Sequence, residues 1–347
     1  MTPTPGTSHP ATFDGFLPEG AQPITADLRI GACDDADFLR TRFVGHVDAH
    51  RLDEVPSGQS MIVTGYGPTN APTVGTLSAM LATKQLQDHT GLPATLIVSD
   101  LGAWNSRNID WPTLEHLRDR ILRFLTAIGF NGDSTTLRGH QDHDNLVLAG
   151  LIAKLLTEAD FRANRESLDE LYQDLGLRGS MLGIMVDGLY TIADILGPLR
   201  EGCTRVLMVA GVEEHYFADL AQLVLTRAAE RYPGQLFPPE TGAAALFLDI
   251  VPGLAGYPKM SKSIPDSAIN LGEPLDTIRH KIVGDDRTHP GVLLKMMELA
   301  GDWSADAVSE ARRSFEARDS DPRPWQQARE RCAETMLAYA ETWAATA

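Results

Sequence analysis

The feature that most constrains this chain is an alternation of short apolar runs with longer stretches of helical spacing. MIVTG leads into a helix over residues 75–89, ATLIVSD into a helix from about Pro112 to Gly129, and TTLRG into helices over DNLVLAGLIAKLL and ESLDELYQDLG. A longer helical stretch from Gly179 to Leu199 precedes RVLMVAG, and a helix from about Glu214 to Tyr232 follows it. ALFLDIV is the last candidate strand. Strands separated by helices predict a parallel sheet covered on both faces, an α/β fold of the doubly wound, Rossmann-like kind. Beyond about Pro290 the pattern is purely helical, through GVLLKMMELAG, DAVSEARRSFEAR and PWQQARERCAETMLAYAETW. The expected organisation is a flexible tail over 1–25, an α/β domain over 26–285 and a small C-terminal helical domain over 286–347.

Composition narrows the function classes. The chain has 347 residues, 43% hydrophobic and 22% charged, and no apolar run reads as a membrane span. Its start, MTPTPGTSHPATFDGFLPEG, lacks an apolar core and reads as a loose tail rather than a signal peptide. Cys33, Cys203 and Cys332 are distant and odd in number, which offers no disulfide framework or zinc spacing and suggests a reducing cytoplasm. A net charge of −17 counts against avid nucleic-acid binding, which needs clustered Lys and Arg. His140 and His143 in GHQDHDN have a metal-like spacing, but no third ligand is in view and no metal is assigned.

Ligands of doubly wound sheets collect beyond the C-terminal ends of the strands. Three segments should converge there: VTGYGPTNAPTVGT over 63–76, GVEEH after RVLMVA, and GLAGYPKMSKSIPDS. The glycines and prolines of the first are either turn punctuation or a cradle that offers helix N–H groups to anionic oxygens. The third places Lys259 and Lys262 among Met260, Ser261 and Ser263. Two ammonium groups so close are costly to bury, so the segment is either a solvated basic loop or a mobile cation source for a leaving pyrophosphate.

KMSKS as it stands, with the P-T-x-x-x-T-V-G-T turn before it, resembles the class I aminoacyl-tRNA synthetases, specifically the tyrosyl/tryptophanyl branch, over roughly residues 38–345. FLRTRFVGHVDAHRLDEV, MIVTGYGP and ATKQLQD resemble the archaeal/eukaryotic tryptophanyl type. SDLGAWNSRN and RANRESLDEL resemble tyrosyl-type segments. LYTIADIL and AGVEEHYFADLAQLVLTRAAERY resemble the middle helix and the Gly-x-Asp-Gln region. The resemblance implies ATP, with Mg2+, bound between Gly65, Gly67 and Gly75 on one side and Met260 with its loop on the other. Thr73 and Thr76 stand where the family's first motif usually has histidines, and their hydroxyls still donate. Lys259, Ser261, Lys262 and Ser263 would act on the phosphates, and Gly211 and Glu213 on the ribose.

At the amino-acid end the sequence departs from the family. Glu214 replaces a Gln, Asp187 a Tyr and Thr191 a Gln, while Asp194 matches; three carboxylates would then face the pocket. Val63 replaces a Tyr, and the tryptophanyl Gln falls on Ile97 or Val98, the latter taken here as lining an aliphatic pocket. The C-terminal Arg312, Arg313, Arg318, Arg329 and Arg331 alternate with acidic residues, more like a solvated face than a phosphate track. The expected function is transfer of an amino acid, an aliphatic one, to a small-molecule amine or amide. Its donor is an aminoacyl adenylate or a charged tRNA, with natural-product biosynthesis as one setting. The alternatives are a true synthetase with shifted amino-acid choice and a non-catalytic regulator. A homodimer built on the helices between about Pro112 and Glu170 is expected from the branch.

Overall fold

The computed structural model describes residues 15–347 except 55, 57, 143–144, 164–175, 177–178 and 285–289. The helix expected over ESLDELYQDLG and His143 therefore fall outside the described residues. Six strands form one sheet: β1 (Phe43–Val47), β2 (Ser60–Tyr66), β3 (Ala94–Val98), β4 (Thr135–Gly139), β5 (Arg205–Gly211) and β6 (Gly242–Leu248), in the order β1-β6-β5-β2-β3-β4. The neighbours from β6 to β4 pair in parallel, and β1 adds an antiparallel edge to β6. The strand order reverses direction between β2 and β5, which opens a crevice at their C-terminal ends.

The two faces have separate cores. Ile62, Leu96, Val98, Leu207, Val209 and Leu246 face the helices Val74–Thr90 and Trp111–Ala127. The helices from Pro290 onward join this same cluster, with Trp343 packed edge-on against Phe124. The opposite face carries Val206, Met208, Ala210, Ala245 and Phe247 under the helices Asn145–Ile152, Met181–Leu196 and Tyr216–Arg231. This split follows from the two-residue period of a strand.

Local chemistry sets the helix ends. Thr73 caps Val74–Thr90, accepting from the Thr76 N–H at 3.2 Å, and Gly91 closes that helix at φ 67°. Asp110 caps Trp111–Ala127 through the Thr113 N–H at 3.0 Å, with Pro112 in the first turn. Ser180 caps Met181–Leu196 through the Gly183 N–H at 3.1 Å.

Two expectations are corrected. The segment from Leu17 to Gln22 is not loose. Gln22 and His46 exchange two backbone hydrogen bonds of 2.8 Å, and a Cβ on Gly45 would stand 2.3 Å from Leu17 and 2.9 Å from Gln22. A glycine at 45 thus lets this segment cover the exposed edge strand β1. The stretch Met181–Arg200 is long and apolar enough, by length and composition, to cross a membrane. Here it packs against β2, β5 and the helices on its own face, and carries Asp187 and Asp194.

Candidate active site

A cleft of about 270 Å3 lies over the C-terminal ends of β2, β3 and β5. The turn after β2, the GVEE segment after β5 and the KMSKS loop after β6 all border it, so the three segments expected to converge do meet.

The KMSKS loop is an ordered turn. The Ser261 N–H donates to Ser267 Oγ at 2.9 Å, and that hydroxyl donates to the Ile264 carbonyl at 2.7 Å. The Ser263 N–H reaches Ser261 Oγ at 3.3 Å. Met260 is buried beneath Gly75: a Cβ there would make ordinary contact, 3.5 Å, with the Met260 Cβ. Lys262 crosses to the opposite turn, where its ammonium donates to the Gly67 carbonyl at 2.5 Å, while Asn70 donates to the Lys262 carbonyl at 3.3 Å. Lys259 lies 2.9 Å from Glu213 Oε1. The Glu213 carboxylate folds back over Gly211, where a Cβ would approach within 2.2 Å, so glycine at 211 makes room for this longer acid. The loop is thereby joined by three contacts to the segments that follow β2 and β5 across this end of the cleft.

Burial pushes the Lys262 ammonium down to about 8; Glu214 opposes the shift, and the like charges of Lys259 and Arg107 reinforce it. Arg107 was not singled out from sequence. The helix Asp100–Ser106 ends one residue before it, and this places Arg107 on the cleft wall. The signal lay in SDLGAWNSRN, but seven residues of helix were needed to aim it. Thr76 lines the cleft. Thr73 does not: it is fully buried, and its hydroxyl caps the helix and lies 3.3 Å from the Thr76 hydroxyl. Thr73 is thus a positioning residue for the turn rather than a group facing a ligand.

The amino-acid end differs more from expectation. Val63, Ile97 and Met208 form its apolar floor. Val98 is corrected: it pairs with Tyr66 and points into the other core, since adjacent strand residues face opposite sides. Asp187, Thr191 and Glu214 border the space, with Tyr216 and Phe217 beside them. Asp194 also borders it, but both its oxygens are occupied. Arg138 Nη2 donates to Oδ1 at 2.7 Å and Asn145 Nδ2 to the same oxygen at 3.0 Å. His140 Nε2 stands 2.8 Å from Oδ2, off the straight line of a good hydrogen bond. Burial alone would raise the Asp194 carboxyl, but His140, Arg138 and Asn145 outweigh it and hold the group below the usual carboxylate range. Expected as one of three substrate carboxylates, Asp194 is instead the centre of a buried ionic cluster. His140 is accounted for in the same way, because its Nδ1 accepts from the Gly102 N–H at 3.2 Å and its Nε2 faces Asp194. Asp187, by contrast, has no side-chain partner among the described residues; its carboxylate lies against Gly102, where a Cβ would come within 2.1 Å.

No family model matches the chain. Tryptophan–tRNA ligase 2 of Halobacterium salinarum is 27% identical over 273 residues, which cover 75% of this chain and 66% of that protein, just under two thirds of its length. Among solved structures, the tryptophanyl-tRNA synthetase of Aeropyrum pernix aligns with a TM-score of 0.69 at 16% identity, covering 94% of this chain and 90% of that one. The tyrosyl-tRNA synthetase of Archaeoglobus fulgidus, solved with L-tyrosine, aligns at 0.64 and 17% identity over 86% and 92% of the two chains. At such identities the structural likeness establishes the fold.

Proposed function

We propose that this chain, a class I aminoacyl-tRNA synthetase-like protein of the tyrosyl/tryptophanyl branch, activates an aliphatic amino acid with ATP. It then passes the aminoacyl group to a small-molecule amine or amide. The observation that carries this reading is the division of the cleft into a cationic nucleotide end, with Lys259, Lys262 and Arg107, and an apolar floor of Val63, Ile97 and Met208.

In the activation step a carboxylate oxygen of the amino acid attacks the α-phosphorus of ATP. The bond from that phosphorus to the bridging oxygen breaks, and pyrophosphate leaves with its charge facing Lys259 and Lys262. For the ribose to reach Glu213, the Lys259–Glu213 pair must part, which releases Lys259 toward the phosphates. Among the described residues no group of three or more His, Cys, Asp or Glu could hold a metal. Mg2+ would therefore enter as part of the nucleotide substrate. Asp187 and Thr191 would receive the α-ammonium. In the second step the acceptor nitrogen attacks the acyl carbon and AMP leaves.

A second reading, a true synthetase that charges tRNA, is favoured by the relatives, whose names are tryptophanyl and tyrosyl enzymes. Against it, three of the five C-terminal arginines are engaged within the chain. Arg318 and Arg331 lie over the Phe315 and Trp303 rings, and Arg329 donates to the Ile282 carbonyl at 2.8 Å. A route through charged tRNA as donor would leave the ATP motifs idle.

Exposed Trp104, Leu146, Val147, Leu151 and Leu182 lie on the helix Met181–Leu196 and on two helices that both pack against it, and support a homodimer with a second copy on this face. The cysteines are free, and burial pushes the Cys332 thiol up to about 12, which suits a reducing cytoplasm. The deciding experiment is ATP–pyrophosphate exchange across the amino acids, with and without bulk tRNA, followed by acyl capture by small amines. Exchange with an aliphatic amino acid that needs no tRNA supports the proposal. Exchange saturated by tryptophan or tyrosine alone returns the chain to the ordinary synthetases.

A further inference from the structure

A second cavity, of about 260 Å3, lies at the opposite end of the sheet, between the helix Tyr216–Arg231 and the first residues of β6. Its polar lining is Asp48, Arg51, Arg205, Gln222, Thr226 and Thr241. None of these residues borders the cleft described above.

Arg205 opens β5 and is only 8% exposed. Its Nη1 donates to the carbonyls of Thr204, at 3.1 Å, and Glu240. Its Nε is buried with no acceptor, and among the described residues its guanidinium pairs with no carboxylate. Carbonyl bonds orient a guanidinium but leave its charge unanswered, and a buried cation without a counter-ion is costly. β1 pairs with β6 only from Ala245 to Leu248, so the outer edge of Gly242–Ala244 has no strand neighbour. Arg51 also lines the cavity, and Asp48 is the acidic residue of its lining. A small open volume beside a buried guanidinium with no carboxylate partner among the described residues calls for an anion.

We propose that this cavity binds a compact anion, a carboxylate or phosphate group seated between Arg205 and Arg51 with Gln222 and Thr226 on its helical wall. Arginine suits this task because its planar fork meets either anion with two parallel N–H groups. The site is separate from the reaction cleft, and its occupancy does not depend on which acyl transfer the cleft performs.

The test uses the full chain carrying Lys259→Ala and Lys262→Ala, which weakens phosphate binding in the cleft, so that the cavity variants below report on the second site. Inorganic phosphate and glutarate are titrated at fixed ionic strength against sodium chloride, with Tm and calorimetric heat as readouts. A saturable rise in Tm with one of the two is expected, and which one acts identifies the phosphate or the carboxylate as the ligand group. Adding Arg205→Met should weaken binding at least tenfold. Adding Thr226→Glu, which places a carboxylate on the cavity wall, should abolish the response and raise Tm with no anion present. If Arg205→Met does not fold, Thr226→Glu decides alone. No saturable response to either anion, or one that persists unchanged in Thr226→Glu, overturns the proposal.

Discussion

The two ends of the reaction cleft answer charge in opposite ways. At the proposed nucleotide end, Lys259 meets Glu213 at 2.9 Å across the opening, and Lys262 donates to the carbonyl of Gly67. These contacts join separate loops, as the proposed nucleotide binding requires: an incoming polyanion would take both cations while its ribose took the acid. At the amino-acid end, Asp194 is fixed within the core by Arg138, Asn145 and His140, none of which a substrate can displace without unpairing a buried charge. One end holds exchangeable charge, and the other has neutralised its charge in advance. A carboxylate that lines a pocket is therefore a substrate ligand only when its oxygens are available. By that criterion Asp187 qualifies and Asp194 does not.

The largest effect should come from breaking the fixed end. Arg138→Met leaves Asp194 buried without its permanently charged partner, and losing one partner of a buried pair costs about 3–5 kcal/mol. Urea unfolding should show a lower midpoint at unchanged slope. A midpoint equal to that of the wild type would mean that the Arg138–Asp194 pair does not hold this wall, and the contrast between the two ends would collapse.

Next in size is loss of the exchangeable cations. Lys259→Ala or Lys262→Ala should lower kcat for pyrophosphate exchange roughly a hundredfold or more, with a smaller change in KM, because the charge they meet grows in the transition state. Wild-type turnover in both single variants would remove the adenylate route and favour a charged-tRNA donor, from which no pyrophosphate leaves.

The same contrast explains what could be read in the sequence. KMSKS and the turn after β2 are contiguous, and their chemistry is carried by neighbours in the chain, so five consecutive residues suffice to place Lys259 and Lys262. The alternation of apolar and helical runs likewise foretells β2 to β6 and most of the long helices. The Asp194 cluster joins residues from β4, from Asn145–Ile152 and from the middle helix, 56 and 49 positions apart for its two strongest bonds. No local pattern marks such a partnership. Val98 and Ile97 differ by one residue, and register alone sends one to the core and the other to the cleft. The edge strand Phe43–Val47 was not foreseen, because its short run is interrupted by Gly45 and His46. Gly45 is the residue that admits the covering segment Leu17–Gln22.

The apolar floor makes a prediction of intermediate size. With Asp194 already occupied, and Asp187 and Thr191 assigned to the α-ammonium in the proposed pose, a phenol or indole donor entering over Val63, Ile97 and Met208 meets apolar side chains. An unmatched buried donor costs about 1–3 kcal/mol, so tyrosine and tryptophan should compete roughly 5- to 150-fold worse than a branched aliphatic amino acid of fitting size. Competition in the exchange assay measures this ratio directly. Equal or better competition by the aromatic amino acids would show that the floor opens on binding and that its neutral wall does not select.

The smallest effect is the dependence of the nucleotide end on pH. Lys262 titrates near 8 in the folded chain, against an ordinary lysine value of 10.5. Two consequences of opposite sign follow. The charged form is the one that attracts phosphate, so affinity for AMP or pyrophosphate should be full below about pH 8 and decline severalfold toward pH 10. The same charge is disfavoured by burial in the free protein, so the native state binds fewer protons at this site than the unfolded chain between about 8 and 10.5. Its contribution to stability therefore rises with pH through that window, as ligand affinity falls. Bound phosphate should push the titration upward, because an opposite charge favours the ammonium. Lys262→Met should flatten both profiles, while Lys259→Met, whose partner is Glu213, should leave the stability profile in that window standing. Calorimetric titration of AMP from pH 7 to pH 10, beside urea unfolding over the same range, separates the two effects. If affinity and stability move in the same direction, Lys262 is not the group that titrates.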